Sequence, residues 1–426
     1  MPAGSSRPPN IVLIFMDDMG YGDLGCTGSP LIKTPNIDAI AEAGVSFTQM
    51  YAAAATCTPS RAALMTGRYA QRAGLPRVLF PDDAEGLGAT ELTVAEVLRG
   101  VGYRTAAYGK WHLGARPEHH PMSHGFEEFV GLPYSNDMEP LALTVGRDAV
   151  DEPVDQALLT RRYIDEAIEF VERHADEPFF VYVPHTMPHI PLHVEADFRG
   201  RSAAGTYGDT IECIDHHVGR LMACLDRLGL TDDTLVIVTS DNGPWYEGST
   251  GGLRGRKFDT YEGGIRMPFV AQWPGRIEPG SICDEPACLI DLLPTFAGLA
   301  DADLPATRVF DGVDIGALLQ GGPAPQREAL YFFSRWTLNA VRSGRWKLHV
   351  DVVPRKDNRE LPQLFDLTAD PGENYNLANL YPDEVDRLTR LANAFAAEIE
   401  RQRPDAEHRA LSADPRARER GVRVRP

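Results

Sequence analysis

Two pairs of hard oxygen ligands, Asp17-Asp18 and Asp241-Asn242, each follow an apolar run at residues 11–16 and 234–240. Carboxylate and amide oxygens of this kind suit Ca2+ or Mg2+, and a set without a Cys/His pair disfavours zinc. Either pair alone also reads as an ordinary turn or helix cap. Cys57 stands before a segment of helical character, with Arg61 one turn on. Backbone N–H groups, a helix dipole and a guanidinium favour an anion or a nucleophile at that point, although a lone free cysteine is commonly a small buried hydrophobe. Lys110, His112, His185, His189 and Lys257 all fall near strand ends or in glycine-rich loops. Side chains there reach solvent and substrate, and lysine and histidine together can bind an oxyanion and move protons.

The elements that must position these residues read as an alternation. Residues 11–16, 103–109, 179–183 and 234–240 are predicted strands. Helices are predicted at 34–44 (Thr34 as cap, Pro35 in the first turn, Gly44 as stop), after Cys57, at 93–99, at 154–174 and at 206–228. The last carries Ile211, Ile214, Val218, Leu221 and Leu225 at helical spacing. Strand–helix alternation with apolar strands predicts an α/β fold, a large and mostly parallel sheet sandwiched by helices. Ligands of such sheets bind beyond the strands' carboxyl ends, which is where the polar clusters fall. After about residue 325 come short strands, a Ser343-Gly344 turn and a helix at about 380–400. These predict a small C-terminal α+β module with a short antiparallel sheet. The expected division is a catalytic domain at 1–325 and a subdomain with a tail at 326–426.

The 426 residues leave room for both parts, and 43% hydrophobic content excludes a mainly disordered chain. Forty-two Lys and Arg against 61 Asp and Glu give a net charge of -19, which disfavours nucleic acid as a partner. A few cations focused in a pocket can still hold one anion. Six cysteines without a CxxC pairing argue against a disulfide framework or structural zinc. The run 11–16 is too short for a signal segment, and no later window approaches a membrane span. A cytoplasmic protein is therefore expected, or a periplasmic or secreted one if a leader has been removed.

The same residues lie in segments that resemble the type I, formylglycine-dependent sulfatases of the alkaline phosphatase superfamily. CTPSRAALMTGRY at 57–69 matches the signature C-x-P-S-R-x-x-x-x-T-G, which directs conversion of the cysteine, and YGKWHLG at 108–114 matches the second signature. IVLIFMDDMGYGDLGC, HTMPHIPL, VTSDNGP and GGLRGRKFDTYEGGIRMPFVAQWPG match further segments in the expected order, and RSGRWKL extends the likeness into the C-terminal module. The pattern looks closest to the arylsulfatase and N-acetylgalactosamine-6-sulfatase branch.

The resemblance implies that Asp17, Asp18, Asp241 and Asn242 hold one Ca2+, with Mg2+ the alternative. The 3-oxoalanine (formylglycine) made from Cys57 and a sulfate oxygen would complete its shell. Arg61 and Lys110 would steady the aldehyde hydrate, and His112 would hold one of its hydroxyls and later act as base. Lys257 and a histidine of HTMPHIPL would contact the ester side of the sulfate and protonate the leaving alcohol. His189 fits the family's H-x-P spacing, while His185 reads as a neighbouring substrate contact or a hydrogen-bonded loop residue. The implied reaction is a double displacement in which one hydroxyl attacks sulfur and the other expels sulfate by elimination. Its partners would be an aryl, sugar or small-metabolite sulfate ester and a formylglycine-generating enzyme, with no membrane or nucleic acid. The runner-up is a phosphate or phosphonate ester hydrolase of the same superfamily. Trp245 and Tyr246 either line the cleft or pack under the loop 248–256, and Arg77, Asp82, Asp83 and residues 331–336 are further rim candidates. His119-His120, His124 and His216-His217 read either as a further metal site or, more simply, as solvated histidines.

Overall fold

Alternation within one strand generates both faces of the core. In β1 (Asn10–Met16), Ile11, Leu13 and Phe15 enter one apolar cluster, and Val12, Ile14 and Met16 enter the other. The computed structural model describes residues 7–351 and 361–403; the expected tail lies outside them.

Ten further strands join β1 in one sheet. They are β2 (Val45–Tyr51), β3 (Arg104–Lys110), β4 (Glu128–Leu132), β5 (Leu143–Val145), β6 (Asp148–Asp151), β7 (Phe179–Pro184), β8 (Thr234–Ser240), β9 (Arg266–Gln272), β10 (Ser281–Cys283) and β11 (Ala287–Cys288). The order is β10-β2-β9-β8-β1-β7-β3-β4-β5-β6, with β11 also on β2. The centre, β8-β1-β7-β3-β4, is parallel throughout, while β9 runs antiparallel to both its neighbours and β5–β6 form an antiparallel edge. The mostly parallel sheet is the one the alternation predicts.

Helices α1 (Pro35–Glu42), α2 (Cys57–Thr66), α3 (Val94–Gly100), α4 (Leu159–Arg173) and α5 (Gly205–Arg227) are joined later by the single turn α6 (Glu262–Ile265), by α7 (Leu292–Leu299) and by the short α8 (Gly316–Leu319). Leu64 and Met65 of α2, Leu98 of α3 and Phe296 of α7 pack on one face of the sheet; Ile37 and Ile40 of α1, Phe170 of α4 and Ile214 of α5 pack on the other. The start of α3 is fixed by Thr93, which accepts from Glu96 N while Glu96 reaches back to Thr93 N. Helix α4 begins five residues later than expected, after a 3-10 turn at Gln156–Leu158. Among the described residues no helix is long and apolar enough to cross a membrane.

The C-terminal strands β12 (Leu330–Ser334), β13 (Thr337–Ser343), β14 (Trp346–His349) and β15 (Gln363–Asp366) form a separate antiparallel sheet, covered by α9 (Pro382–Gln402). This sheet does not stand alone. Phe332, Leu348, Leu364, Leu388 and Ile399 share one core with Tyr51, Ala55, Ala63 and Tyr69, so the module braces α2 and the chain leading into it. A buried charge cluster crosses the same boundary. Lys347 Nζ meets Glu262 at 2.8 Å and Glu373 at 3.1 Å, His349 Nε2 meets Glu373 at 2.8 Å, and Glu262 N donates to Glu373 at 2.6 Å.

Candidate active site

Parallel pairing of β1 with β8 sets Met16 opposite Ser240, so the residues that follow, Asp17-Asp18 and Asp241-Asn242, emerge side by side. Asp241 N donates to Met16 O at 3.1 Å, Asp18 N to Asp241 Oδ1 at 3.1 Å, and Asn242 Nδ2 to Asp18 Oδ1 at 2.8 Å. Helix α2 opens against this group with Cys57, whose Sγ lies 3.5 Å from Asp17 Oδ1. One turn on, Arg61 Nη2 reaches Asp241 Oδ2 at 2.9 Å and Asp17 Oδ1 at 3.4 Å, while Nη1 donates to Lys110 O at 2.9 Å.

Lys110 closes β3. Gly109 before it has φ 143°, and a Cβ there would lie 1.8 Å from Pro184 O, so glycine lets β3 and β7 approach closely just where the lysine turns inward. Its ammonium bonds Asp17 Oδ2 at 2.6 Å and Ser135 Oγ at 3.2 Å. Lys257 Nζ bonds Asp18 Oδ2 at 2.7 Å. Three buried carboxylates thus face three buried cations, Arg61, Lys110 and Lys257.

Electrostatics separates the carboxylates. Burial pushes Asp17 up, but Lys110, His189, Arg61 and Lys257 outweigh it and hold it well below the usual range. Burial and the negative charge of Asp17 push Asp241 above that range. Crowded carboxylates driven apart in this way are what a divalent cation relieves. Asn242 Oδ1 is buried without a partner, a vacant hard acceptor beside them. An all-oxygen set of three carboxylates and an amide fits a hard cation and not zinc. Cys57 also forms a trio with Asp17 and Asp241, and another with Asp18 and His189, the candidate ligand atoms of each lying within 4.8 Å of one another.

Both site histidines have a defined tautomer. His112 sits at φ 61° and its Nε2 bonds Leu79 O at 3.0 Å; the carbonyl can only accept, so the proton is on Nε2. Nδ1 is left buried without a partner. Thr58, next to Cys57, donates to His112 O and accepts from Leu79 N, fastening the start of α2 to both. His189 Nδ1 faces Ile190 O at 2.5 Å and Asn136 Oδ1 at 3.2 Å, two acceptors, which leaves Nε2 bare and 3.6 Å from Asp18 Oδ2. Burial, then Lys110, lowers His112 far below the usual range; burial, then Lys257, lowers His189. Burial also pushes the Cys57 thiol strongly up, although Lys110 and Lys257 pull it down.

His185 is not brought into this cluster. Its fully buried ring lies 6.2 Å from that of Tyr163 on α4, and burial with His217, not the site lysines, depresses it to about 3. The histidines expected to be solvated also differ from expectation. His124 and His217 are buried, and His217 bonds Glu195 at 2.6 Å while accepting from Arg220 at 3.0 Å, so both its nitrogens are engaged. Arg77 is tied to Asp83 and Glu85 beside Trp336. Two site residues escaped the sequence reading: Ser135, on Lys110, and Asn136, on His189. Both belong to the polar stretch after β4, the same strand-end signal that marks Asp17-Asp18.

Residues 9–302 match the family described as Sulfatase, and residues 325–421 match the C-terminal region of aryl-sulfatase. Arylsulfatase A of Homo sapiens is 41% identical over 91% of this chain and 87% of its own, and N-acetylgalactosamine-6-sulfatase of Rattus norvegicus is 36% identical over 92% and 86%. The solved structure of Ps i-CgsB in complex with k-i-k-neocarrahexaose superposes with a TM-score of 0.86 at 28% identity, covering 97% of this chain and 99% of that one. The chain belongs to the sulfatase family, and the cluster at the carboxyl ends of β1, β3 and β8 is set in a hydrolase of sulfate esters.

Proposed function

We propose that the chain cleaves sulfate monoesters of aryl or sugar alcohols through formylglycine made from Cys57, with a covalent sulfo-enzyme resolved by elimination. A hard divalent cation, calcium or magnesium, held by Asp17, Asp18, Asp241 and Asn242, would neutralise and orient the sulfate. The observation that carries this reading is the placement of Cys57 at the head of α2, its buried Sγ 3.5 Å from Asp17 Oδ1 among three carboxylates and three cations. Burial pushes its thiol up, and a neutral thiol is a poor nucleophile, which favours conversion to an aldehyde hydrate at this position.

Charge selects the ester. The carboxylates and cations of the chain balance, so the two charges of a divalent ion are matched by one from a sulfate monoester and one from an ionised nucleophile. A phosphate monoester dianion would leave one buried charge uncompensated. Arg61 and Lys110 keep their protons and steady negative charge on the nucleophile. His112 offers its bare Nδ1 to a hydroxyl, and His189 presents Nε2, with Lys257, on the ester side. The names of the relatives support a sulfated sugar or aryl sulfate as substrate, and a formylglycine-generating enzyme would be the maturation partner.

The test is peptide mass together with turnover. Protein made with an active converting enzyme should show the Cys57 peptide lighter by about 18 Da, and should hydrolyse nitrophenyl sulfate in preference to nitrophenyl phosphate. Preference for the phosphate would hand the assignment to the phosphohydrolase reading. A second expectation concerns the leaving group. Nitrophenoxide leaves without a proton, whereas a sugar alkoxide needs one. His189→Ala should therefore cost about 10²–10³-fold on a sugar sulfate and under about 10-fold on nitrophenyl sulfate. Equal losses on the two would remove His189 from the proton-donor role.

A further inference from the structure

Among the described residues six non-glycines have positive φ, and three of them lie at this site: Asp18 (64°), His112 (61°) and Phe258 (76°). The first two have roles above; Phe258 has none. A bulky side chain in the left-handed region is costly and persists only where its surroundings hold it. Phe258 N donates to Ala55 O at 2.8 Å, two residues before Cys57. The residue follows Lys257 directly, and the Lys257 ammonium lies 6.0 Å from the Phe258 ring centroid. Held in this way the ring is 42% exposed.

Two more aromatic rings adjoin it. Trp245, three residues after Asn242, has its ring centroid 6.0 Å from that of Phe258, edge to face, and Tyr246 lies 4.8 Å beyond and is 59% exposed. Arg256 fastens the loop. Its Nη1 donates to Trp245 O at 2.8 Å and Gly248 O at 2.7 Å, and its guanidinium lies 5.5 Å from the Tyr246 ring. A rigid run of partly exposed rings next to a buried charged centre presents flat apolar area where the ester's organic half must emerge. An ester oxygen within about 3 Å of Lys257 Nζ would bring the first carbons of the alcohol over Phe258.

We propose that Phe258, Trp245 and Tyr246 form a specificity wall that receives the alcohol half of the substrate, a six-membered ring offering a flat apolar face. An aryl ring offers its π-face and a pyranose its C–H face, and an open alkyl chain offers neither. The inference rests on the sulfatase reading above and deepens it by naming what lies beyond the sulfate. Lys257 meets the ester and the wall meets the ring, so the wall governs KM for ring esters and not the hold on sulfate itself.

Phe258→Asn and Tyr246→Ala test this separately; asparagine tolerates the left-handed region, so the first removes the ring without adding backbone strain. Converted wild type and variants are assayed with nitrophenyl sulfate and with N-acetylgalactosamine 6-sulfate, and inorganic sulfate is titrated as competitive inhibitor. KM for at least one ring ester is expected to rise about 5–10-fold, with the sulfate inhibition constant within about twofold of wild type. A rise confined to the nitrophenyl ester identifies an aryl alcohol, and one confined to the sugar identifies a pyranose. Unchanged KM in both variants, or a sulfate inhibition constant that climbs in step, overturns the wall while the sulfatase reading stands. Converted wild type inactive on both esters brings down the sulfatase reading, and this inference with it.

Discussion

Cys57→Ala should lower sulfate-ester turnover by about 10⁴–10⁶-fold, the scale of losing a nucleophile, with the thermal unfolding midpoint close to wild type. The substitution deletes one buried sulfur at the first residue of α2 and leaves Arg61, Lys110, Asp17, Asp18, Asp241 and Asn242 in place. Whatever rate survives measures the electrostatic site without its nucleophile. Cys57→Ser sharpens the point, because serine has one hydroxyl where the proposed aldehyde hydrate would have two. It can attack sulfur but cannot expel sulfate by elimination, so it should stop after one turnover carrying an adduct of about 80 Da. Steady turnover by the serine variant, or an alanine variant within about tenfold of wild type, would mean that position 57 is not the nucleophile.

The largest stability effect is expected at the boundary with the C-terminal sheet. Lys347→Met should cost about 3–5 kcal/mol, because it leaves Glu262 and Glu373 buried without their shared cation. Burial alone would raise Glu262, but Lys347, then Arg342 and Arg266, hold it below the usual range. A depressed carboxyl stabilises the fold at pH above the ordinary carboxylate range and loses that contribution as pH falls through the lowered value. With Lys347 gone, burial is less opposed and Glu262 rises, so the variant's deficit against wild type should be largest near neutral pH and shrink as pH falls and the carboxyl takes up a proton. Denaturant unfolding of wild type and variant across pH 3–7 checks both statements. Pairing the change with Glu262→Gln should recover part of the loss, since only one charge then stays unmatched. A cost under about 1 kcal/mol would show that water reaches the cluster.

The sheet's centre was readable because β1, β7 and β8 are unbroken apolar runs ended by polar residues, and the strand-end rule then located most of the site. Strand β9 escaped because Pro268 sits inside it, and proline argues against an interior strand. The structure accommodates it at an irregularity. The register with β2 skips between Phe47 and Met50, and the Pro268 carbonyl accepts from Thr239 at 2.8 Å. Family spacing favoured His189 over His185, but spacing does not say where either ring lies. They stand four residues apart in a loop, and only the path after β7 buries one against α4 and turns the other toward Asp18. Glu262 was visible within TYEGGI, but nothing local points to a lysine 85 residues later. Pairings at that separation are a property of topology, not of pattern.

That separation also bears on the order in which the chain matures. Glu262 lies five residues after Lys257, and its counter-ion Lys347 and neighbour Glu373 are synthesised 85 and 111 residues after it. On the ribosome, Asp17 and Asp18 are thus made long before the segment that presents Lys257 to Asp18 can be locked from behind. A nascent chain folds from its N-terminal part as it emerges, yet here the last sheet to be translated braces the helix of Cys57 and the loop of Lys257. Ala63 of α2 and the approach residues Tyr51, Ala53 and Ala55 therefore gain their last packing partners only when residues 330–399 arrive.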